Sequence, residues 1–372
     1  MENLLDVENK SVYIHIPFCD IICSYCDFCK LYSNDNMIDK YLDELDKEIK
    51  FRYKGEVIET LYIGGGTPSS LSIKQLEKLF NIIKIFNKSS NIEFSVEGNF
   101  ESTSYEKIDL YKKSGVNRLS FGIETTNNKL LKLLNRSLDK VHVSNIINYC
   151  RDIGIDNINL DLIYALPGED LDILKKDLDY IISLSPKHIS TYSLIIEEHT
   201  KLFIDKYKNI DEDKDLEMYL FIHNYLTKYG YNHYEISNYS KDGYFSRHNL
   251  VYWNNEYYYG FGLGASGYIN NIRYSNTRSY NKYIEGLYLL SEEIIDSNSD
   301  MDYYIMLKLR LSTGINRKEF YDRYHVNIEE VYDYSKLVYD GLLIDNINIY
   351  IPYDKWYLEN YIISNFRRMH ER

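Results

Sequence analysis

Between Ser11 and Ile196 the sequence swings repeatedly between two hydrophobic periods. Strand-like runs stand at SVYIHIPF (11–18), TLYIGG (60–65), IEFSVEG (92–98), NRLSFGIE (117–124), NINLDLIYA (157–165) and HISTYSLII (188–196). Helical spacing fills most of the gaps. Ile38, Tyr41, Leu42, Leu45, Ile49 and Tyr53 recur at three- and four-residue steps in 38–53, as do Leu76, Leu79, Phe80 and Ile83 in 73–86. Strands that alternate with helices pair in parallel, and their crossovers share one hand. The pattern therefore predicts an α/β chain built as an open (βα)6 partial TIM-like barrel, about three quarters of a closed one.

From about residue 197 the alternation stops. An aromatic, glycine-rich stretch runs from HYEISNYS (233–240) through SRHNLVYWNNEYYYGFGLGASGY (246–268). Short helical patterns return with YYIMLKLRL (303–311), and INIYI (347–351) reads as a strand. The expected organisation is a barrel over 1–196, an extension over 197–298, and a small helical, winged-helix-like accessory domain over 299–372.

The conspicuous polar residues fall where such a barrel assembles its chemistry, at the C-terminal ends of the strands. Cys19 follows the first strand, and Gly64, Gly65, Gly66 and Thr67 close the second. Glu97 closes the third, Glu124 ends the fourth, and Asp161 lies in the fifth.

Four of the five cysteines, Cys19, Cys23, Cys26 and Cys29, crowd into one short loop. A secreted disulfide scaffold spreads its bridges over a small fold, so this distribution is the wrong one. Structural zinc usually draws on two cysteine or histidine pairs, and no second pair with that spacing follows. Three thiolates at C-x3-C-x2-C spacing fit an iron–sulfur cluster that leaves one iron open.

Bulk properties narrow the function classes. A formal net charge of −13 argues against a nucleic-acid partner, which needs a basic face. No run approaches the ~18 apolar residues that span a bilayer, and MENLLDVENK lacks the basic and apolar segments of a secretory signal. The expected location is the cytoplasm.

With these residues in place, CDIICSYC resembles the cysteine signature of the radical S-adenosylmethionine (SAM) family, and GGGTPS (64–69) resembles its second motif. YIHIPFC, GVNRLSFGIE, NINLDLIYALPG, HYEISNYS and RHNLVYWNNEYYYGFGLGASGY resemble blocks of the coproporphyrinogen-oxidase-like branch, in order, over roughly 11–280. The resemblance implies a 4Fe–4S cluster on Cys19, Cys23 and Cys26, whose open iron chelates SAM and whose reduction yields a 5′-deoxyadenosyl radical. It places SAM contacts at Tyr13, Gly65, Gly66, Thr67, Glu97, Glu124, Arg136 and Asp161. Glu124 stands where the family usually has glutamine.

Within this branch the resemblance is to heme chaperones, which implies heme as cargo, an acceptor protein, and an electron donor such as a flavodoxin-type reductant. HNLVYW (248–253) matches a motif of that group linked to heme binding, so His248 is the candidate heme contact; its alternative role is to hydrogen-bond backbone in a rigid loop. Ser266 replaces a family histidine in GASG. Two other activities share the barrel. One is oxygen-independent coproporphyrinogen III dehydrogenation to protoporphyrinogen IX, the other a radical reaction on heme itself. The dehydrogenases carry a fourth cysteine where Phe28 stands here, and Cys29 comes one residue later; it reads as a free, partly buried thiol, with a cluster or second-SAM role as the alternative. Cys150 reads as core, and the glycines of GFGLGASG read as permitting tight turns.

Overall fold

The computed structural model describes residues 10–369. They form two compact units: one runs to Met218 and takes in Tyr257–Ile294, and the other comprises Tyr219–Glu256 and the chain from Ile295 onward.

The first unit contains the predicted strands: β1 (Ser11–Ile16), β2 (Val57–Gly65), β3 (Asn87–Asn99), β4 (Arg118–Glu124), β5 (Asn157–Tyr164) and β6 (His188–Ser193). They pair in parallel in sequence order. A seventh strand, β7 (Tyr259–Phe261), joins the sheet in parallel beside β1. It comes from the glycine-rich block, whose periodicity did not announce a strand. Gly262 (φ +99°) and Gly264 (φ +73°) then turn the chain through left-handed backbone, as expected of glycines there. The result is an α/β partial barrel, as the alternation predicts.

Helices with marked starts join the strands. Asn34 caps α1 (Asp35–Arg52), and Ser72 with Gln75 forms a reciprocal capping box at α2 (Ile73–Ile82). The apolar stripe of α1, with Leu42, Leu45 and Ile49, is fully buried.

Alternation along the strands sorts the residues by face. Val12, Ile14 and Ile16 are buried apolar side chains, as are Leu61, Ile63, Phe94, Val96, Leu119, Phe121, Ile158, Leu160 and Leu162. Each such side chain contributes about 1.5–3 kcal/mol of burial. The residues between them are Tyr13, His15, Tyr62, Ser95, Glu97, Arg118, Ser120, Asn159 and Asp161. In register, Tyr13 faces Tyr62, Ser95 faces Arg118, Glu97 faces Ser120, and Ser120 faces Asn159. One face of this parallel sheet is thus polar. After β7 a three-stranded antiparallel sheet follows, made of β8 (Ser266–Ile269), β9 (Ile272–Asn276) and β10 (Leu289–Ile294).

In the second unit the HYEISNYS block forms an antiparallel pair, Asn232–Glu235 with Asn238–Ser240. HNLVYW lies in the helix Arg247–Trp253, capped by Ser246. The helix Ser297–Lys308 covers most of the predicted 303–311 pattern, and INIYI supplies the strand Asn348–Tyr350 of a small sheet. Among the described residues, no helix is long and apolar enough to cross a membrane.

Candidate functional site

The loop after β1 carries the clustered cysteines, and backbone contacts fix its path. Ser24 N–H donates to Leu134 O at 3.0 Å, and Asn135 Nδ2 donates to Ile22 O at 2.9 Å. Both partners lie just past α3 (Asn128–Leu133), and Leu202 N–H of α4 (Lys201–Ile204) donates to Ser24 O. The end of β2 zips onto the same loop: Gly66 N–H donates to Ile16 O and Thr67 N–H to Phe18 O, each at 2.8 Å. Glycine is required at 66, because a Cβ there would lie 2.8 Å from Phe18 O and 2.9 Å from Cys19 Sγ.

All five cysteines are free thiols. Thr67 Oγ1 donates to Cys19 Sγ at 3.5 Å, and Arg136 Nη1 to Cys23 Sγ at 3.8 Å. Burial pushes the Cys19 thiol up to about 11 and raises that of Cys23, where Arg136 opposes the shift. Among the described residues, no three His, Cys, Asp or Glu groups converge on a single ion position. A cubane asks for a different arrangement, one soft thiolate at each of three separate irons, and the three loop thiols match it in type and number.

Around the loop stand the polar residues of the strand ends. Glu124 sits in left-handed backbone (φ +57°), and a Cβ on Gly122 would strike its carboxylate, so glycine at 122 permits the turn. The Glu124 side chain is buried, and its Oε1 accepts from Tyr25 OH at 3.0 Å and Arg136 Nη1 at 3.2 Å. Arg136 Nη2 reaches Glu101 Oε2 at 3.3 Å. Two buried atoms of this pair, Glu124 Oε2 and Arg136 Nε, have no hydrogen-bond partner among the described residues.

Glu97 accepts from Tyr62 OH at 2.7 Å and from Gly65 N–H at 3.0 Å. Asp161 accepts from Asn159 Nδ2 at 2.7 Å. Burial raises all three carboxyls, Asp161 to about 6, while Arg118 pulls Glu97 and Asp161 down and Arg136 does so for Glu124. Three carboxylates against two guanidiniums leave a site suited to a cationic ligand. The orphaned Glu124 oxygen and the glycine-lined approach at Gly65 and Gly66 fit an ammonium- and sulfonium-bearing molecule such as SAM.

Tyr13 faces the same interior, with its hydroxyl committed to His15 Nδ1 at 2.9 Å. His15 Nε2 meets Cys29 O at 2.8 Å; a carbonyl only accepts, so Nε2 carries the proton and Nδ1 accepts from Tyr13. Burial holds His15 neutral, lowering it to about 4. Cys29 Cβ packs over Gly264, where an added Cβ would approach to 2.6 Å.

The fold therefore gathers Tyr13, Cys19, Cys23, Cys26, Gly65, Gly66, Thr67, Glu97, Glu124, Arg136 and Asp161 in one unit. His248 belongs to the other unit, is 1% exposed, and shares a 2.7 Å hydrogen bond with Tyr252 OH through Nε2. Ser266 is exposed on β8, paired with Ser275 Oγ at 2.9 Å. Sequence reasoning missed Tyr25, Tyr62, Arg118, Asn159 and His188. Asn159 joins Ser120 Oγ at 2.8 Å to His188 Nδ1 at 2.6 Å across the polar face. The signal was present, since a polar residue at every second position of a parallel strand is unusual where both faces are covered.

Known proteins share this sequence and fold. The profile of the Radical SAM superfamily matches residues 13–181. The chain is 37% identical to the heme chaperone HemW of Lactococcus lactis, covering 96% of this chain and 97% of the relative. It is 37% identical to HemW of Bacillus subtilis (87% and 89% covered) and 32% identical to that of Escherichia coli (83% and 85%). Among solved structures, coproporphyrinogen III oxidase (HemN) from Escherichia coli superposes with a TM-score of 0.84 at 22% identity, covering 96% of this chain and 89% of that one. At that identity the likeness speaks to the fold alone.

Proposed function

The chain belongs to the HemW family of heme chaperones in the radical SAM superfamily, and from that premise we propose that it binds heme and hands it to an acceptor protein. The observation that carries the reading is identity at 37% over almost the whole of both chains, second unit included.

In this reading Cys19, Cys23 and Cys26 would hold a 4Fe–4S cluster, which with SAM supplies one-electron chemistry when bound. The protein's own part is positional. Gly65 and Gly66 keep side chains out of the approach, and Thr67 orients Cys19. Glu97, Glu124 and Asp161 offer charge to a cationic ligand, and Arg136, held by Glu124 and Glu101, offers a guanidinium to a carboxylate. Tyr13 contributes its ring face, its hydroxyl being engaged. Free thiols and an oxidisable cluster suit a reducing, cytoplasmic setting.

His248 remains the candidate heme contact, supported by HNLVYW. Imidazole is a good ligand for heme iron, but here Nε2 must first leave Tyr252. Heme ligation through His248 therefore requires Nε2 to exchange the Tyr252 hydroxyl for iron, and Tyr252→Phe, which removes that competitor, should tighten heme binding.

The test is anaerobic incubation of cluster-loaded protein with SAM, reductant and coproporphyrinogen III, run beside transfer of its bound heme to a heme-free cytochrome. Heme transfer without porphyrin product supports the reading. Catalytic protoporphyrinogen IX would make the chain a dehydrogenase and overturn it.

A further inference from the structure

A groove of the first unit opens beside the cysteine loop, and the segment that follows the last predicted barrel strand, β6, forms its other wall. Leu202 N–H donates to Ser24 O at 3.0 Å, which ties α4 to the loop, and Leu194 and Leu202 sink into a buried core with Leu130 and Leu134. The groove encloses about 560 Å³, within the ~300–1,000 Å³ of small-molecule and cofactor pockets. His199 lines it, just ahead of the Thr200 cap of α4. The His199 side chain is exposed and has no hydrogen-bond partner among the described residues.

The rest of the lining is of two kinds. Tyr32, Leu133, Ile204 and Tyr207 give the groove aromatic and aliphatic walls, and Tyr32 and Ile204 are 66% and 65% exposed. The charge runs against that of the whole molecule: the chain carries a net −13, yet the lining holds Lys30, Lys132 and Lys201 against a single carboxylate, Asp205. Lys201 pairs with Asp205 at 2.5 Å, and Lys30 donates to Cys26 O. Lys132 has no acceptor among the described residues. Glu197 and Glu198 precede His199 but do not line the groove. A flat apolar ligand with carboxylates on its edge and a metal at its centre answers each feature. The walls take its faces, the lysines its carboxylates, and the imidazole its metal.

We propose that this groove is a heme site, in which His199 ligates the iron and Lys132 and Lys201 hold the propionates. The inference rests on the heme-carrying reading above and gives it a place in the first unit. An imidazole nitrogen of His199 supplies the electron pair of the new bond, and a solvent ligand leaves the iron. His248 cannot do this as it stands, since it is buried and bonded to Tyr252. His199 needs no such release. Heme therefore lodges first against His199, and His248 takes part only once Tyr252 lets go.

The experiment titrates heme into the full chain, reconstituted anaerobically so that Cys23 and Cys26 are not free to take the iron, and follows the Soret band. His199→Asn is the variant, because His199 sits in left-handed backbone (φ +69°) that asparagine also accepts. Its Kd for heme should rise by about tenfold or more and its Soret maximum should leave the wild-type position, which added imidazole should restore. Lys132→Glu with Lys201→Glu should weaken binding by about tenfold without moving the band, and high salt should shrink that difference. Both variants should keep the wild-type iron content before heme is added and the wild-type unfolding midpoint. An unchanged Kd and band in His199→Asn would overturn the proposal. So would loss of heme binding confined to His248→Ala, which would put the heme in the second unit. A wild-type chain that never saturates with heme would instead sink the heme-carrying reading beneath it.

Discussion

Replacing Gly66 by alanine would put a methyl group where β2 meets the cysteine loop. The added carbon would lie 2.8 Å from Phe18 O and from the Pro17 carbonyl carbon, and 2.9 Å from Cys19 Sγ. Ordinary contact begins near 3.4 Å, so backbone and sulfur must each retreat by about half an ångström. The backbone cannot do so freely, because the hydrogen bonds from Gly66 and Thr67 to Ile16 and Phe18 hold it at 2.8 Å. Crowding of this kind costs about 1–3 kcal/mol, a few degrees in Tm for a chain of this size. The functional effect should be larger, since the movable neighbour is the sulfur of Cys19. The assay is thermal unfolding of the metal-free protein, followed by iron and sulfide analysis after reconstitution. Gly115→Ala is the control, with strained backbone (φ +92°) but nothing within 4 Å of the added carbon. Both variants should lose stability, and only Gly66→Ala should lose iron. Full iron content in Gly66→Ala at unchanged Tm would refute the reasoning.

Other outcomes follow from the same geometry. Arg136→Ala leaves the Glu124 carboxyl buried without its cation and should destabilise by about 3–5 kcal/mol; adding Glu124→Gln should recover most of that, whereas simple additivity in urea unfolding would contradict the pairing. Cys29→Ser should bind the full complement of iron while Cys23→Ser does not; iron loss in Cys29→Ser would make Cys29 a ligand. Glu235 is fully buried in the second unit and burial pushes its carboxyl up to about 8. Its folded form retains the proton, so the stability it permits is complete below the unfolded value near 4.3 and is lost as pH rises toward 8, by about 3–4 kcal/mol at pH 7. Glu235→Gln should remove that slope, and equal pH dependence of wild type and variant in urea unfolding between pH 5 and 8 would contradict it.

The six barrel strands were legible because their apolar runs recur and helical spacing fills most of the gaps between them. The cysteine loop and GGGTPS were legible because their spacing is local. What escaped was set by pairing at long range. β7 is three residues long, with Gly260 at its centre and Gly262 just after it, so it carries no period of its own; only the open edge of β1 makes it a strand. Tyr25 reads as a loop aromatic until the fold sets it on Glu124, 99 residues away. Asn159 and His188 look like chance polar residues in separate strands until register makes them neighbours. His248 shows the opposite limit. Its motif is clear in the sequence, but only the fold reveals a ring that is buried and already bonded to Tyr252.

The central claim is that this radical SAM chain carries heme, and an anaerobic heme titration of the cluster-loaded protein, followed at the Soret band, tests it most directly. The account predicts saturation at one heme per chain, with a band distinct from free heme and displaced by a heme-free acceptor. A titration that rises without saturating, with the spectrum of free heme throughout, would contradict it.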